Sequence, residues 1–425
     1  MGYEDVQARV TSASGLRGSP ISGERYYDPA FARLEWDHMW TRVWHVAGLS
    51  SELAEPGDHI VHKVGRESVL VVRQDDGGVR AFYNVCRHRA NKLVWHEFGS
   101  SDHFTCAYHG WRWGLDGSLQ DLQDPEDFDQ NLCRTLRLKE LACEERLGFV
   151  WFNMSHDSLP LGDYLAQIEP LIAPYALDEM VRVTFHTVEV DCNWKVIRDN
   201  FNESYHLPSI HPQLATYFDE DYRNTEFHQF DHGNNLMVMK GALPSPRGPV
   251  KDRIQEPLLG LLRTWELEPD SFAGRWTETR TALQAQMRKL GPSRGRPHYA
   301  QLSDAQLTDA HHFTLFPNLN LTFHPDRFTF LRTEPHPTDP EKCIFSHWFF
   351  VRPEPGESPP AEAEHVSFRH GEQPIGPVFD QDLGVVLAQQ EGVHSRGFDR
   401  FHLGGQEFRI QRFHEILDDY IAGRV

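Results

Sequence analysis

What this sequence lacks narrows its function first. No apolar run approaches the ~20 residues that a bilayer-spanning helix needs. The opening stretch, MGYEDVQARVTSASGLRGSP, has no apolar segment of the kind a secretion signal carries. Gly2 begins a myristoylation pattern that Val6 breaks, because Ser or Thr is wanted there. A cytoplasmic protein is expected, with residues 1–20 forming a loosely ordered arm. Positive charge is scarce: 42 Lys and Arg stand against 62 Asp and Glu, a net charge of −20. Phosphate backbones and anionic lipid would repel such a chain, so neither nucleic acid nor membrane is an expected partner. Cysteine is sparse too. Cys86, Cys106, Cys133, Cys143, Cys192 and Cys343 do not make a disulfide scaffold in 425 residues, and reduced thiols fit better. No G-x-G-x-x-G stands between a strand and a helix, so the sequence carries no legible dinucleotide site.

What is present describes a globular protein, 39% hydrophobic and 24% charged, too long for one ordinary core. Residues 29–45 space their apolar side chains as one amphipathic helix. From 46 to about 153 short β-rich runs alternate with turns, and DDGG at 75–78 and DG at 116–117 mark hairpins. Beyond 153 the texture is mixed. Helices are expected at 161–175, 195–206, within 256–290, and near 380–391 and 406–422. Strand-like alternation runs through 182–197 and three or four strands are expected across 312–351, while 353–377 reads as loop. A small all-β module followed by an α+β domain is the expectation.

The stretch 84–118 holds Cys86-x-His88 and, 17 residues later, Cys106-x-x-His109, each pair just after an expected strand. Such spacings let both side chains of a pair reach one centre from one short loop. Two thiolates and two imidazoles suit tetrahedral zinc. They also suit a [2Fe–2S] centre with two cysteines on one iron and two histidines on the other. A zinc finger would carry its histidines on a helix, and none is expected here. His96 and His103 fall outside the pattern and read as surface residues.

A second constellation is CNWKVIRDNFNESYHLPSIHP, 192–212, which offers Asp199, Glu203, His206 and His211. Glu203 and His206 share a helical face, but His206 and His211 lie about 140° apart around an ideal helix. Convergence needs a distorted helix, and Pro208 is the residue expected to break it. Two histidines and one carboxylate form the facial triad of non-haem Fe(II) oxygenases, with positions left open.

The pattern C-R-H-R…C-x-Y-H-G-W at 86–111 resembles the Rieske domain of ring-hydroxylating oxygenase large subunits. Residues 193–211 resemble the same family's mononuclear-iron motif, N-W-K…D-N-x-x-E-x-Y-H-x₄-H. The resemblance implies an all-β Rieske [2Fe–2S] domain inserted near the N-terminus of an α+β helix-grip (START-like) catalytic domain. It divides the chain into residues 1–44, an arm and helix belonging to the catalytic domain, then 45–155, the Rieske domain, and 156–425, the catalytic domain. Cys86 and Cys106 would bind one iron of the cluster, and His88 and His109 the other. His206 and His211 would hold a mononuclear Fe(II). Glu203 stands where many relatives have Asp, the residue linking this iron to the Rieske histidine of a neighbouring subunit. Asp199 would orient a ligand histidine, and Asn200 and Tyr205 would support the ligands. The missing carboxylate comes from a C-terminal helix in this family. Counting back eight from Gln390 gives Asp382, with Asp380 its rival, and Leu387 stands where relatives often carry Glu.

The resemblance further implies the terminal oxygenase of a multicomponent system, fed by a separate ferredoxin or ferredoxin reductase from NAD(P)H. O₂ and a small organic substrate would be its reactants, in a homotrimer that a β subunit would accompany in some branches. Monooxygenation, as hydroxylation or N- or O-dealkylation, is the favoured reaction. Aromatic-hydrocarbon dihydroxylation and demethylation or hydroxylation of a quaternary-ammonium compound are its alternatives. A Rieske electron carrier without oxygenation and a zinc-stapled binding protein are the rivals of other classes. Pocket walls are expected from Leu207, Phe218, Leu236, Met237 and Met239, and from Phe313, Leu315, Phe316, Leu319 and Leu321. Such a lining favours a mainly apolar, even aromatic, substrate.

Overall fold

The structure, a computed structural model, describes residues 16–129, 131–247 and 253–425. The arm expected over residues 1–20 lies outside the described residues as far as residue 15. Two compact units divide the chain: Leu34–Ala166, and a larger one joining the chain up to Arg33 with Gln167–Val425. The smaller unit is therefore an insertion in the sequence of the larger, and the expected 45–155 module falls inside it.

Antiparallel pairing dominates the smaller unit. Its seven-stranded sheet runs, in spatial order, Trp44–Leu49, Phe149–Asn153, Glu140–Arg146, Val79–Tyr83, Glu67–Arg73, Asp58–Val64 and Phe98–Ser100. A three-stranded sheet, His103–Thr105, Arg112–Gly114 and Leu119–Asp121, carries the second Cys/His pair at its first turn. Both expected hairpins form where the sequence marks them. In the second, Gly117 has φ +80°, and a Cβ there would meet the Phe82 ring at 2.6 Å, so only glycine fits. Phe82, Trp113, Phe104 and Leu138 pack around Cys86 and Cys106, placing both thiols in the unit's core.

The helix expected over 29–45 stops early. An α-helix spans Pro29–Glu35, a π-helical turn spans Trp36–Trp40, and Trp44–Leu49 is a fully buried strand. A short continuous apolar run looks alike as a buried strand or a buried helix, and pairing with Phe149–Asn153 decides between them.

In the larger unit an eight-stranded sheet runs Glu226–Gln229, Asn235–Met239, Ala310–Leu315, Leu319–His324, Arg327–Pro335, Cys343–Val351, Val181–Val190 and Val366–Arg369. The last strand lies in the segment expected as loop. Its flanks are rich in Pro and Glu, and parallel pairing with His186–Glu189 makes it a strand without a hydrophobic pattern. The expected 161–175 helix is broken, with helical turns at Leu161–Leu165 and Glu169–Ile172 and Pro170 opening the second.

Helices fix the site against this sheet. Arg409, on the helix Phe408–Ile421, donates to Asn235 Oδ1 at 2.6 Å and Thr314 Oγ1 at 2.7 Å. The helix Pro377–Gly392 buries Asp382, Leu383, Val386 and Gln390 on one face. Leu383 and Val386 contribute roughly 1.5–3 kcal/mol each by burial. Gln390 adds direction: its Oε1 accepts from Asn193 N at 2.9 Å, tying this helix to the start of Trp194–Asn200.

Candidate metal centres

Within the smaller unit, the loops Cys86–Asn91 and Cys106–Trp111 fold alike. In each, the cysteine N–H donates to the carbonyl five residues on, at 2.8 Å, and the fourth residue on, Ala90 or Gly110, returns an N–H to the cysteine carbonyl. Ala90 and Gly110 both take positive φ, 58° and 70°, which turns each loop back on itself. Both thiols are buried and free of disulfides. Burial pushes the Cys86 thiol up. Cys106 is desolvated as well, but N–H groups of Tyr108 and His109 and the Asn91 side chain, 3.8 Å from its Sγ, hold it below its ordinary value.

The two imidazoles sit farther out and face one another, ring centroids 4.5 Å apart. His88 stacks flat on Trp111 at 4.6 Å, and its Nδ1 is buried without a hydrogen-bond partner. That orphaned nitrogen is an observation a metal ligand explains. A tetrahedral zinc ion would draw all four donors together within about 4 Å, given Zn–S and Zn–N bonds of ~2.0–2.3 Å. Among the described residues the only His/Cys/Asp/Glu group with donors that close is elsewhere. Two thiols inside and two imidazoles outside instead fit a two-iron cluster.

That other group is His206, His211 and Asp382, whose donor atoms all lie within 4.8 Å of one another in the larger unit. Its geometry begins at Asn193, which caps the helix Trp194–Asn200 by accepting from Lys195 N at 3.0 Å. The helix ends because Asn202 Nδ2 donates to the Arg198 carbonyl at 2.7 Å, taking a group the ladder would have used. A single helical turn, Leu207–Ile210, follows, with Pro208 at its start. The expectation that Pro208 breaks the helix is thus corrected: the break precedes it, and the proline opens the next turn. His206 and His211 flank this turn and are no longer 140° apart.

Both Nδ1 atoms are engaged. His206 Nδ1 bonds Glu203, and His211 Nδ1 bonds Gln381 Oε1 at 2.8 Å. Both Nε2 atoms therefore face Asp382 Oδ1, at 3.5 Å and 2.9 Å respectively. Two imidazole nitrogens aimed at one carboxylate, each ring oriented from behind, make a donor set that fits a divalent iron. Burial works against His211 protonation, yet Asp382 and Gln381 raise its imidazole above the ordinary value. Asp380 is elsewhere occupied, accepting from Ile375 N at 3.0 Å and Gly376 N at 3.3 Å.

Three expectations change. Asp199 does not reach a ligand histidine: it accepts from Tyr26 at 2.6 Å and Arg198 at 3.1 Å, and meets His414 Nε2 at 3.2 Å, a buried quartet. Asn200 closes the helix with its Nδ2 buried and unpartnered, and Tyr205 is 61% exposed, so neither braces the triad through a side-chain bond. Gln381 was missed, because nothing in its type or position announces a partner 170 residues away.

The expected pocket walls also change. Phe313, Leu315, Phe316, Leu319 and Leu321 are sheet core, each at most 2% exposed. Phe218 keeps its expected place, lining a cavity of about 730 Å³ together with Leu214, Tyr217, Leu261, Trp265 and Tyr299 and with charged groups at Arg294, Arg296, Asp326, Arg327 and Glu354. Leu214 and Phe218 also line a narrower gap that His211 and Leu207 share, so cavity and triad are neighbours.

Comparison with known proteins places these features. A profile described as ring hydroxylating alpha subunit (catalytic domain) matches residues 177–423, and one described as Rieske [2Fe-2S] domain matches 43–135. The glycine betaine monooxygenase oxygenase subunit of Chromohalobacter salexigens is 32% identical over 193 residues, 44% of this chain and 42% of that protein. The large oxygenase component of the naphthalene 1,2-dioxygenase system of Pseudomonas putida is 36% identical over 210 residues, 48% and 46% of the two chains. The matched segments thus span under half the length of these relatives. A quaternary ammonium Rieske monooxygenase solved with L-carnitine shares the fold, with TM-score 0.65 and 21% identity over 94% of this chain and 95% of that one.

Proposed function

Because the chain belongs to the ring hydroxylating alpha subunit family, with a Rieske [2Fe-2S] domain ahead of the catalytic one, we propose that it is the terminal oxygenase of a multicomponent system. The observation that carries this reading is the convergence of His206, His211 and Asp382 beside a 730 Å³ cavity. Cys86, His88, Cys106 and His109 would hold the cluster, and His206, His211 and Asp382 the mononuclear iron. When bound, these groups supply single-electron delivery and the activation of dioxygen. The protein's own contribution is orientation. Glu203 and Gln381 fix the tautomers of His206 and His211 so that both Nε2 lone pairs are available, and Asp382 adds the negative charge that a dication needs. Leu214 and Phe218 make the approach from the cavity to His211 apolar.

In this reading Glu203, whose carboxylate touches His206, is the entry point for electrons, accepting a hydrogen bond from His109 of the partner subunit. That arrangement calls for a homotrimer, and electrons would come from a separate ferredoxin or reductase. No helix among the described residues is long and apolar enough to cross a membrane, in keeping with a cytoplasmic location. The reaction proposed is monooxygenation, as hydroxylation or dealkylation, of a small substrate; the glycine betaine monooxygenase oxygenase subunit among the relatives supports it. Ring dihydroxylation is the second reading, favoured by the 36% identity to the naphthalene system component. Iron and sulfide analysis with electron paramagnetic resonance of the reduced protein, followed by substrate-stimulated O₂ uptake, tests the proposal. Two irons in place of three, or reduction without any O₂ consumption, would leave an electron carrier.

A further inference from the structure

The cavity beside the triad is apolar on one side and charged on the other, and its charges are nearly all spoken for. Arg294 pairs with Glu266 and donates to the Thr264 carbonyl at 2.6 Å. Arg296 pairs with Asp326 at 2.7 Å and Glu354 at 2.6 Å. Arg327 differs. Among the described residues its guanidinium has no hydrogen bond and no ion pair, although it lines the cavity.

Its isolation is built into the hairpin. Arg327 pairs across the register with His324, the two flanking a turn made of Pro325 and Asp326. The adjacent carboxylate, Asp326, is the obvious countercharge, but it is already used. It accepts from Tyr299 Oη and meets His298 Nε2 at 3.1 Å, besides its pair with Arg296. Tyr217, a hydroxyl-bearing wall residue, donates to the Thr308 carbonyl at 3.4 Å. Burial, and then the neighbouring Arg327, push His324 down to about 3, so that ring is neutral and brings no second charge. Arg327 is thus a permanently charged, solvent-exposed guanidinium at the cavity rim with no protein partner among the described residues, free to receive an anion.

We infer that Arg327 is a specificity-determining residue: it anchors the carboxylate of an amphipathic monocarboxylic acid whose apolar body lies along Tyr217, Phe218 and Leu214 toward His211. This rests on the oxygenase reading for what happens next, and it orients the substrate so that the carbon presented to the triad is the end remote from the carboxylate. The binding step itself moves no electrons and needs no cofactor.

The test is calorimetric titration of the iron-loaded full chain with two acid–amide pairs, 4-phenylbutanoate with 4-phenylbutanamide and hexanoate with hexanamide. At least one acid should bind about ten- to a hundredfold tighter than its amide, the span of a charge-assisted hydrogen bond. Arg327→Gln should erase that preference with iron content unchanged, and Arg327→Lys should keep part of it. Equal binding of acid and amide, no binding of either acid, or a preference that survives Arg327→Gln would overturn the inference. O₂ uptake by the same protein, supplied with a chemical reductant and a mediator as electron source, separates the two ideas. Carboxylate-selective binding with no O₂ consumption sinks the oxygenase reading alone, while O₂ consumption driven by the amides as well as the acids sinks this one.

Discussion

His211 and Asp382 stand 171 residues apart in sequence and 2.9 Å apart in space, Nε2 to Oδ1. The next acid along the chain's approach, Asp380, spends its carboxylate on two backbone N–H groups before the same helix. One residue faces the histidines and the other caps. Asp382→Ala should therefore empty the mononuclear site while the visible spectrum of the cluster persists. Asp380→Ala should keep the iron and lower the unfolding free energy by about 1 kcal/mol, a lost helix cap. Iron counting and thermal melts on the two variants check both halves.

Gln381 holds the ring of His211 through Nδ1. Removing such an orienting partner typically weakens metal affinity about 10–100-fold. Gln381→Leu is expected to do so in Fe(II) titrations, and Gln381→Glu, which can still accept, should restore most of it. Unchanged affinity in Gln381→Leu would mean the contact is incidental.

Glu203→Ala leaves all the metal ligands in place. With Fe(II) in excess, to offset the lost partner of His206 Nδ1, both centres should load and the cluster should still reduce, but oxidation of the reduced cluster in a single turnover should slow sharply. His206→Ala gives the contrasting pattern: no turnover, mononuclear iron lost, cluster spectrum intact. Full-speed turnover by Glu203→Ala would refute the entry role.

Proton and metal compete for His211. Its imidazole is raised above the ordinary value of about 6.5 despite burial, because Asp382 and Gln381 favour the protonated ring. The metal-free protein thus gains stability from this group at low pH and loses it as pH rises through the raised value. Metal binding runs the other way. Uptake of Co(II) by the metal-free chain should release protons and should weaken on acidification, beginning at a higher pH than an unperturbed imidazole would give.

Asp199 is predicted to be structural. Burial would raise its carboxyl, but His414, Arg198 and Tyr26 hold it below 3.8. Its contribution is present above that value and lost as the pH falls through the depressed one. Asp199→Ala strands a buried Arg198 and should cost about 3–5 kcal/mol in chemical denaturation. The melt should fall before any change in the affinity of the surviving folded fraction for iron.

Much of the site is legible in the sequence where the chemistry is local. Cys86 with His88, and Cys106 with His109, are each confined to one short loop, so covalent reach alone limits what they can do together. His206 and His211 are nearly as local, though the reading misplaced the break between them, because Asn202's claim on the Arg198 carbonyl depends on where Asn202 itself is held: by Asn320 and Thr314, more than 100 residues away. The helix at 377–392 was legible as a helix, but its rotation was not. Only packing turns Asp382 inward and Asp380 toward the N-terminus, and Gln390 on Asn193 sets that turn. The cavity was legible least. Apolar residues assigned to its wall went into the sheet core, since burial in a core and burial against a ligand leave the same mark on a sequence. What made Arg327 distinctive was the absence of any partner, and a pairing is a property of two positions in space. The sequence alone determined which residues had the chemistry and which lay within a loop's reach of each other. Tertiary structure decided which distant groups met and which of the cavity's charged groups found partners.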